Sequence, residues 1–143
     1  MAVLMELSRI LIRELNDYQI IELREFREGA AVANAPPARA FPIVIGLPEA
    51  YAIERSLKGV TVKRPQTHDL LASVIKSLGG ELQSITINSL SNSTFFATLD
   101  VMKDGALVRI DSRPSDALAL AVAADVPVMV DETVLDAAAK DEG

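Results

Sequence analysis

The sequence predicts an α+β domain with a mixed, mainly antiparallel sheet, three main helices and a short C-terminal helix. Strand-like segments outnumber helical ones, and most neighbouring strands are separated only by hairpin turns. Hydrophobic residues make up 50% and aromatics only 4%, so the core must be built from Leu, Ile, Val and Ala. The length of 143 residues fits one domain, which we expect at residues 1–138 with a charged tail at 139–143.

Seven segments have the composition and alternation of β-strands. A slip in the alternation at Ser8-Arg9 indicates a β-bulge in the first strand. The turn signals Asn16-Asp17 and Asp104-Gly105 join neighbouring strands into hairpins. A segment rich in Gly, Ala and Pro at residues 28–38 predicts a loop. The predicted strands are residues 3–12, 18–26, 41–45, 82–90, 94–102, 106–110 and 127–130.

Four segments carry helical signals. Pro48 fits the first turn of a helix that Gly59 ends, and Thr67 is the expected N-cap of the second helix. The third helix begins at Pro114 and is apolar all round from Ala117 to Ala124, so we expect it to be buried. The second helix has apolar positions on one face, namely Leu70, Leu71, Val74, Ile75 and Leu78. The predicted helices are residues 48–57, 67–78, 114–124 and 131–139.

The composition excludes several classes of site. The chain has no cysteine and a single histidine, which excludes disulfides, thiolate zinc sites and zinc sites with two or three histidines. We see no signal peptide, and the longest apolar run, at 117–124, is too short to span a bilayer. We therefore expect a cytoplasmic protein without a membrane partner. The net charge of −6 counts against a general electrostatic grip on nucleic acid but leaves room for a local basic patch.

The most function-like feature is the polar stretch from Ile110 to Asp116, where a strand ends and the buried helix begins. Backbone N–H groups at such a helix start can hold an anion, and Arg113 can pair with a phosphate through two hydrogen bonds. Asp111 and Asp116 can hold a hard cation such as Mg²⁺. The residues leave a structural alternative open, in which Asp116 caps the helix and Arg113 pairs with a carboxylate.

Two more polar residues stand at helix starts. His68 can act as a general base or contact a phosphate, whereas we expect Asp69 to satisfy the helix terminus. Glu49 would add a third carboxylate to a metal site if it lay near Asp111, and the alternative is that it offsets the helix dipole. Two short basic patches lack interleaved aromatics and are expected to be ordinary solvated surface, namely Arg39, Lys58, Lys63 and Arg64.

Four stretches resemble the bifunctional nuclease (BFN) domain family, also known as DUF151. Their order and spacing also match, and the resemblance extends from residue 3 to residue 135. The second and fourth stretches are specific, and together they make a chance match improbable. The stretches are Phe41–Gly46 with Glu49-Ala50 and Ala52-Ile53, then Arg64–Leu71, then Thr94–Ala97, and last Ile110–Ala121. The loop at 28–38 is longer and more apolar than the Gly-containing turn usual in this family.

The resemblance implies a mixed α/β fold, a homo-oligomer with a trimer as the expected form, and nuclease activity on DNA and RNA. The polar residues in the matching motifs are Glu49, His68, Asp69, Asp111, Arg113 and Asp116.

Two hypotheses follow. In the first, Asp111 and Asp116, with Glu49, hold Mg²⁺ or Mn²⁺, and the ion activates water for phosphodiester hydrolysis. Arg113 would then stabilise the developing charge and His68 would move a proton, with no organic cofactor. In the second, the protein is a non-catalytic homo-oligomeric binding or scaffold protein, and the Asp–Arg–Asp cluster is structural.

Overall fold

The computed structural model describes residues 1–27 and 36–140. Within these ranges the chain forms one seven-stranded sheet and four α-helices, which confirms the α+β class. The elements are β1 (Ala2–Leu11), β2 (Gln19–Glu25), β3 (Ala40–Ile45), α1 (Leu47–Lys58), α2 (Thr67–Ser77), β4 (Glu81–Ser91), β5 (Thr94–Lys103), β6 (Ala106–Ser112), α3 (Pro114–Ala124), β7 (Val128–Asp131) and α4 (Glu132–Lys140).

The sheet is mixed, with the strand order β3-β2-β1-β7-β4-β5-β6. Five of its neighbouring pairs are antiparallel, and only β4 and β7 run parallel. The register between β1 and β2 shifts between Leu7 and Arg9, which confirms the predicted bulge. The last strand, β7, lies in the middle of the sheet and joins the N-terminal hairpin to the β4–β6 meander.

The sheet curls around an aliphatic core. Phe41 of β3 stacks on Phe95 of β5 with 5.5 Å between ring centroids, although four strands separate β3 from β5 in the sheet order. The apolar side chains of one sheet face pack with α3, in which residues 117–121 are all buried. Small alanines let this helix approach the strands closely, which confirms the predicted burial of α3 and fixes the position of its N-terminus.

The second helix departs from its prediction in two ways. Its N-cap is Gln66 and not Thr67, and the carboxylate of Asp69 accepts a hydrogen bond from the Gln66 backbone N–H at 3.2 Å. Its apolar positions do not form one buried face, because α2 contacts the core through a narrow strip. Leu71 and Ile75 pack against the core, whereas three apolar residues are exposed, namely Leu70, Val74 and Leu78.

Two sequence-based expectations fall partly outside the described residues. They are most of the predicted loop, at 28–35, and the end of the charged tail, at 141–143. Residues 36–39 have no regular secondary structure, as expected for the end of that loop. No helix in the described ranges is long and apolar enough to cross a membrane.

Candidate active site

An open pocket of about 660 Å³ lies where three helices begin. Its lining includes the first turns of α1, α2 and α3, each of which directs its N-terminus towards the pocket. Backbone N–H groups at helix N-termini carry partial positive charge, so this position favours an anion. Four of the residues singled out in the sequence line this pocket, namely Glu49, His68, Arg113 and Asp116.

His68 is held by the carboxylate of Asp116. The ring Nε2 lies 3.1 Å from Asp116 Oδ1, although the two residues are 48 positions apart. We assign the proton to Nε2, because an ionised carboxylate can only accept. The ring is mostly buried, with 13% of the side chain exposed. Asp69 instead bonds to the helix terminus, as the sequence predicts, so Asp116 is the residue that orients the imidazole.

Arg113 lies between two carboxylates. Its Nε donates to Asp116 Oδ2 at 2.9 Å, and its Nη2 donates to Glu49 Oε1 at 3.1 Å. The hydrogen bond and charge of Asp116, reinforced by Glu49, raise the pKa of Arg113 above its ordinary value. The side chain is nevertheless 69% exposed, so its remaining N–H groups face solvent and can receive a ligand.

Glu49 is buried, with only 6% of its surface exposed. Its Oε1 accepts hydrogen bonds from Arg113 and from Ser115 Oγ, the latter at 3.3 Å. A Cβ atom at Gly46 would lie 3.2 Å from Glu49 Oε2, so the glycine leaves room for this carboxylate. Glu49 therefore does more than offset a helix dipole, because it joins the start of α1 to the start of α3.

Asp116 stays ionised despite being partly buried. Burial acts to raise its pKa, but hydrogen bonds from His68 and Arg113, together with the charge of Arg113, outweigh burial and hold the pKa of Asp116 below its ordinary value. A carboxylate that stays ionised keeps accepting from the imidazole and guanidinium, so the three side chains form one connected group.

Asp111 does not lie with the other candidates. It sits on β6 opposite Thr98 of β5, is exposed, and does not line the pocket. The proposed trio of Glu49, Asp111 and Asp116 is therefore not brought together. In the described ranges no group of three His, Asp or Glu side chains is arranged to hold a metal ion. Glu49 and Asp116 both face the Arg113 guanidinium, so the pocket suits an anion better than a hard cation.

A smaller cavity of about 290 Å³ adjoins the pocket, and both are lined by Arg55, Gln66 and His68. Lys63 lines this second cavity, so one residue expected to be ordinary surface lies next to the candidate site. The sequence did not point to Arg55. It lies six residues after Glu49 on α1, and this spacing does not place two side chains on one face of a helix.

A second arginine cluster lies elsewhere in the fold. Arg39 contacts Glu25 at 2.8 Å and both Glu132 and Asp136 at 2.7 Å, so it joins the β2–β3 hairpin to α4. The expectation that Arg39 is ordinary solvated surface is wrong, because its three partners come from segments that only the fold brings together. Lys58, by contrast, makes a surface pair with Glu54 at 3.3 Å.

Comparison with known proteins identifies the family. A family model described as "Bifunctional nuclease domain" matches residues 32–142. "Uncharacterized protein Rv1829" of Mycobacterium tuberculosis is 40% identical over 97 residues, which cover 68% of this chain and 57% of that protein. "Bifunctional nuclease 2" of Arabidopsis thaliana is 26% identical over 94 residues, which cover 64% of this chain and 29% of that protein. The alignment thus spans little more than half of the mycobacterial relative. The chain belongs to the bifunctional nuclease domain family.

Proposed function

We propose that this protein hydrolyses phosphodiester bonds of DNA or RNA in the pocket where α1, α2 and α3 begin. The observation that carries the proposal is the His68–Asp116 pair beside an exposed Arg113. A histidine oriented by a carboxylate is a common arrangement for a general base, and an adjacent arginine binds phosphate. The names of the plant relatives are consistent with this class of activity.

His68 would act as the general base. With its Nε2 proton donated to Asp116, the lone pair is on Nδ1. Nδ1 takes a proton from water as the water oxygen forms a bond to phosphorus. The bond between phosphorus and the leaving nucleoside oxygen then breaks, and that oxygen takes a proton from solvent. His68 returns its own proton to solvent, so the enzyme is restored.

Arg113 would bind the phosphate and stabilise the charge that develops on it. Its two carboxylate partners hold the guanidinium in place and keep it protonated. A fixed, charged donor is more effective than a mobile one, because it needs no rearrangement as the charge develops. The three helix N-termini add backbone dipoles of the same sign.

Arg55 and Lys63 would contact phosphates next to the cleaved one. Arg55 lines both cavities and Lys63 lines the smaller one, so positive charge extends from Arg113 along the surface. This local patch would let a chain whose net charge is −6 bind nucleic acid. We place the activity in the cytoplasm, which the absence of cysteine favours.

The proposed reaction has no step through a metal ion, because the pocket carboxylates are paired with Arg113. The metal hypothesis and this proposal predict different results for Asp111→Asn. If Asp111 and Asp116 shared Mg²⁺ or Mn²⁺, Asp111→Asn and Asp116→Asn would both abolish activity. In our proposal only Asp116→Asn lowers it, since Asp111 is on β6 and does not line the pocket.

The test is hydrolysis of single-stranded and double-stranded DNA and RNA by purified protein, in EDTA and with Mg²⁺ or Mn²⁺. We expect activity in EDTA that His68→Asn abolishes and that the matched control Arg39→Lys retains. Equal rates for wild type and His68→Asn would show contamination or another mechanism. Activity that strictly requires the metal would contradict the acid–base route.

The second candidate is a non-catalytic scaffold, and one observation favours it. Arg113 joins the N-termini of α1 and α3 through Glu49 and Asp116, as a structural brace would. This role predicts that Arg113→Ala dissociates or unfolds an assembly that has no hydrolytic activity. Light scattering and thermal melting of that variant distinguish the two functions.

A further inference from the structure

The two edges of the sheet differ in how they are protected. The edge strand β3 contains Pro42, which has no backbone N–H and so hinders the addition of another strand. The other edge strand, β6, has no proline, and six of its seven residues are exposed. Three of these are large and apolar, with Leu107 48%, Val108 43% and Ile110 42% exposed. An edge strand with which no other described strand pairs is a template for pairing with another chain.

The backbone of β6 is oriented for such pairing. Asp104 and Gly105 have positive φ angles of 50° and 79°, which fit a two-residue type I′ hairpin between β5 and β6. In that hairpin the residues flanking the turn bond to each other, and the bonding then alternates along the strand. The N–H and C=O groups of Leu107, Arg109 and Asp111 therefore point away from β5 towards the open edge.

We propose that β6 pairs antiparallel with β6 of a second copy, with Ile110 opposite its symmetry mate. This pairing gives a two-fold dimer and not the trimer that the family resemblance implies. In a two-fold pairing one residue must lie opposite itself, so the choice of centre fixes every other pair. With Ile110 at the centre, Arg109 of each copy lies opposite Asp111 of the other, which gives two cross-strand ion pairs. Centring on Arg109 or Asp111 would place like charges together, and centring on Val108 gives no ion pair.

Both charged residues are available for this contact. Arg109 is 66% exposed, and its Nε lies 3.9 Å from Asp100, the residue opposite it in β5. Asp111 is exposed on the same sheet face, because residues at alternate positions of a strand point to the same side. This contact gives Asp111 a role that the pocket does not.

Cysteine cross-linking tests the register directly, because the chain contains no cysteine. In the proposed dimer the two Ile110 residues face each other at a distance that a disulfide can span, whereas Val108 lies opposite Ser112. We expect mild oxidation to cross-link Ile110→Cys to a dimer and to leave the matched control Val108→Cys monomeric on a denaturing gel. Equal or faster cross-linking of Val108→Cys, or none in either variant, would overturn the proposal.

Charge reversal supplies a second readout that misfolding cannot mimic. Asp111→Arg or Arg109→Asp alone places like charges opposite each other twice and should weaken the dimer about tenfold or more by sedimentation. The double variant Arg109→Asp with Asp111→Arg restores both ion pairs and should recover the wild-type dissociation constant. A wild type that is monomeric or trimeric, or a double variant no tighter than the single ones, would contradict the proposal.

Discussion

Arg39 and Arg113 have similar partners in different settings. Each arginine binds carboxylates from segments far apart in the sequence. Arg39 has three such partners and 31% of its side chain is exposed, whereas Arg113 has two and 69% is exposed. Arg113 also lines an open pocket with His68, and Arg39 does not.

This difference indicates a structural role for Arg39 and a ligand-binding role for Arg113. Arg39 uses its N–H groups on Glu25, Glu132 and Asp136, which leaves little for a ligand. Arg113 is fixed on one side by carboxylates and is open on the other. An arginine cluster by itself is therefore weak evidence for function, and the free N–H groups beside an oriented histidine make the argument for Arg113.

The largest expected effect belongs to His68. Replacing it by Asn should lower the rate of phosphodiester hydrolysis about 10²- to 10⁴-fold, because the general base is lost. The measurement is kcat/KM on a fluorescent oligonucleotide, with circular dichroism to verify the fold. A rate within a few-fold of wild type would contradict a catalytic role for the pocket that contains His68 and Arg113.

The next largest effect is expected when each of the two arginines is replaced by lysine. Arg113→Lys keeps the charge but loses the planar fork, so we expect a loss of roughly 10²-fold in kcat/KM. Arg39→Lys should leave kcat/KM unchanged, since Arg39 does not line the pocket. Similar losses in both variants would indicate that the exchanges act through the fold.

Substitution of Arg39 should reduce the stability of the protein more than substitution of Arg113, which is the opposite of the order expected for activity. Arg39→Ala removes three ion pairs that join the β2–β3 hairpin to α4, and we expect a loss of about 1–2 kcal/mol in the free energy of unfolding. Arg113→Ala should cost less, because its side chain is more exposed. Urea denaturation of both variants measures this, and the reverse order would mark Arg113 as the brace.

The smallest expected effect is on the thermal stability of the protein as the pH falls. Hydrogen bonds from Arg39 lower the pKa of Glu25, although partial burial opposes this. Burial opposes the lowering more strongly at Asp116, where hydrogen bonds from His68 and Arg113 still hold the pKa below its ordinary value. A lowered folded-state pKa stabilises the protein above the unfolded-state value, and this stability is lost as pH falls through the folded-state value. Glu25→Gln and Asp116→Asn should therefore lower Tm slightly at pH 7 and have no such effect in strong acid. A Tm difference that persists at low pH would exclude this ionic contribution.

Much of the fold follows from local sequence signals. The bulge at Ser8-Arg9, the end of α1 at Gly59 and the buried α3 all reflect short-range chemistry, and the structure confirms each. The central position of β7 could not be predicted, because strand order depends on packing between distant segments. The mistaken N-cap at Thr67 reflects competition between adjacent polar residues at the same helix start.

The candidate site was predictable in part. Glu49, His68, Arg113 and Asp116 stand at helix starts, where polar chemistry is visible in the sequence. Their contacts were not visible, because His68 and Asp116 meet only after α2 and α3 pack. Asp111 lies apart from this group on β6, opposite Thr98 of β5, and its nearness in sequence to Arg113 and Asp116 did not reveal this.

The central claim is that the pocket around His68 and Arg113 is catalytic and the Arg39 cluster is structural. The most direct test is the hydrolysis rate of Arg113→Lys and Arg39→Lys in EDTA, at equal concentrations of folded protein. We predict that Arg113→Lys loses roughly 10²-fold and that Arg39→Lys matches wild type. Hydrolysis by Arg113→Lys at the wild-type rate, or an equal loss of rate in both variants, would contradict the claim.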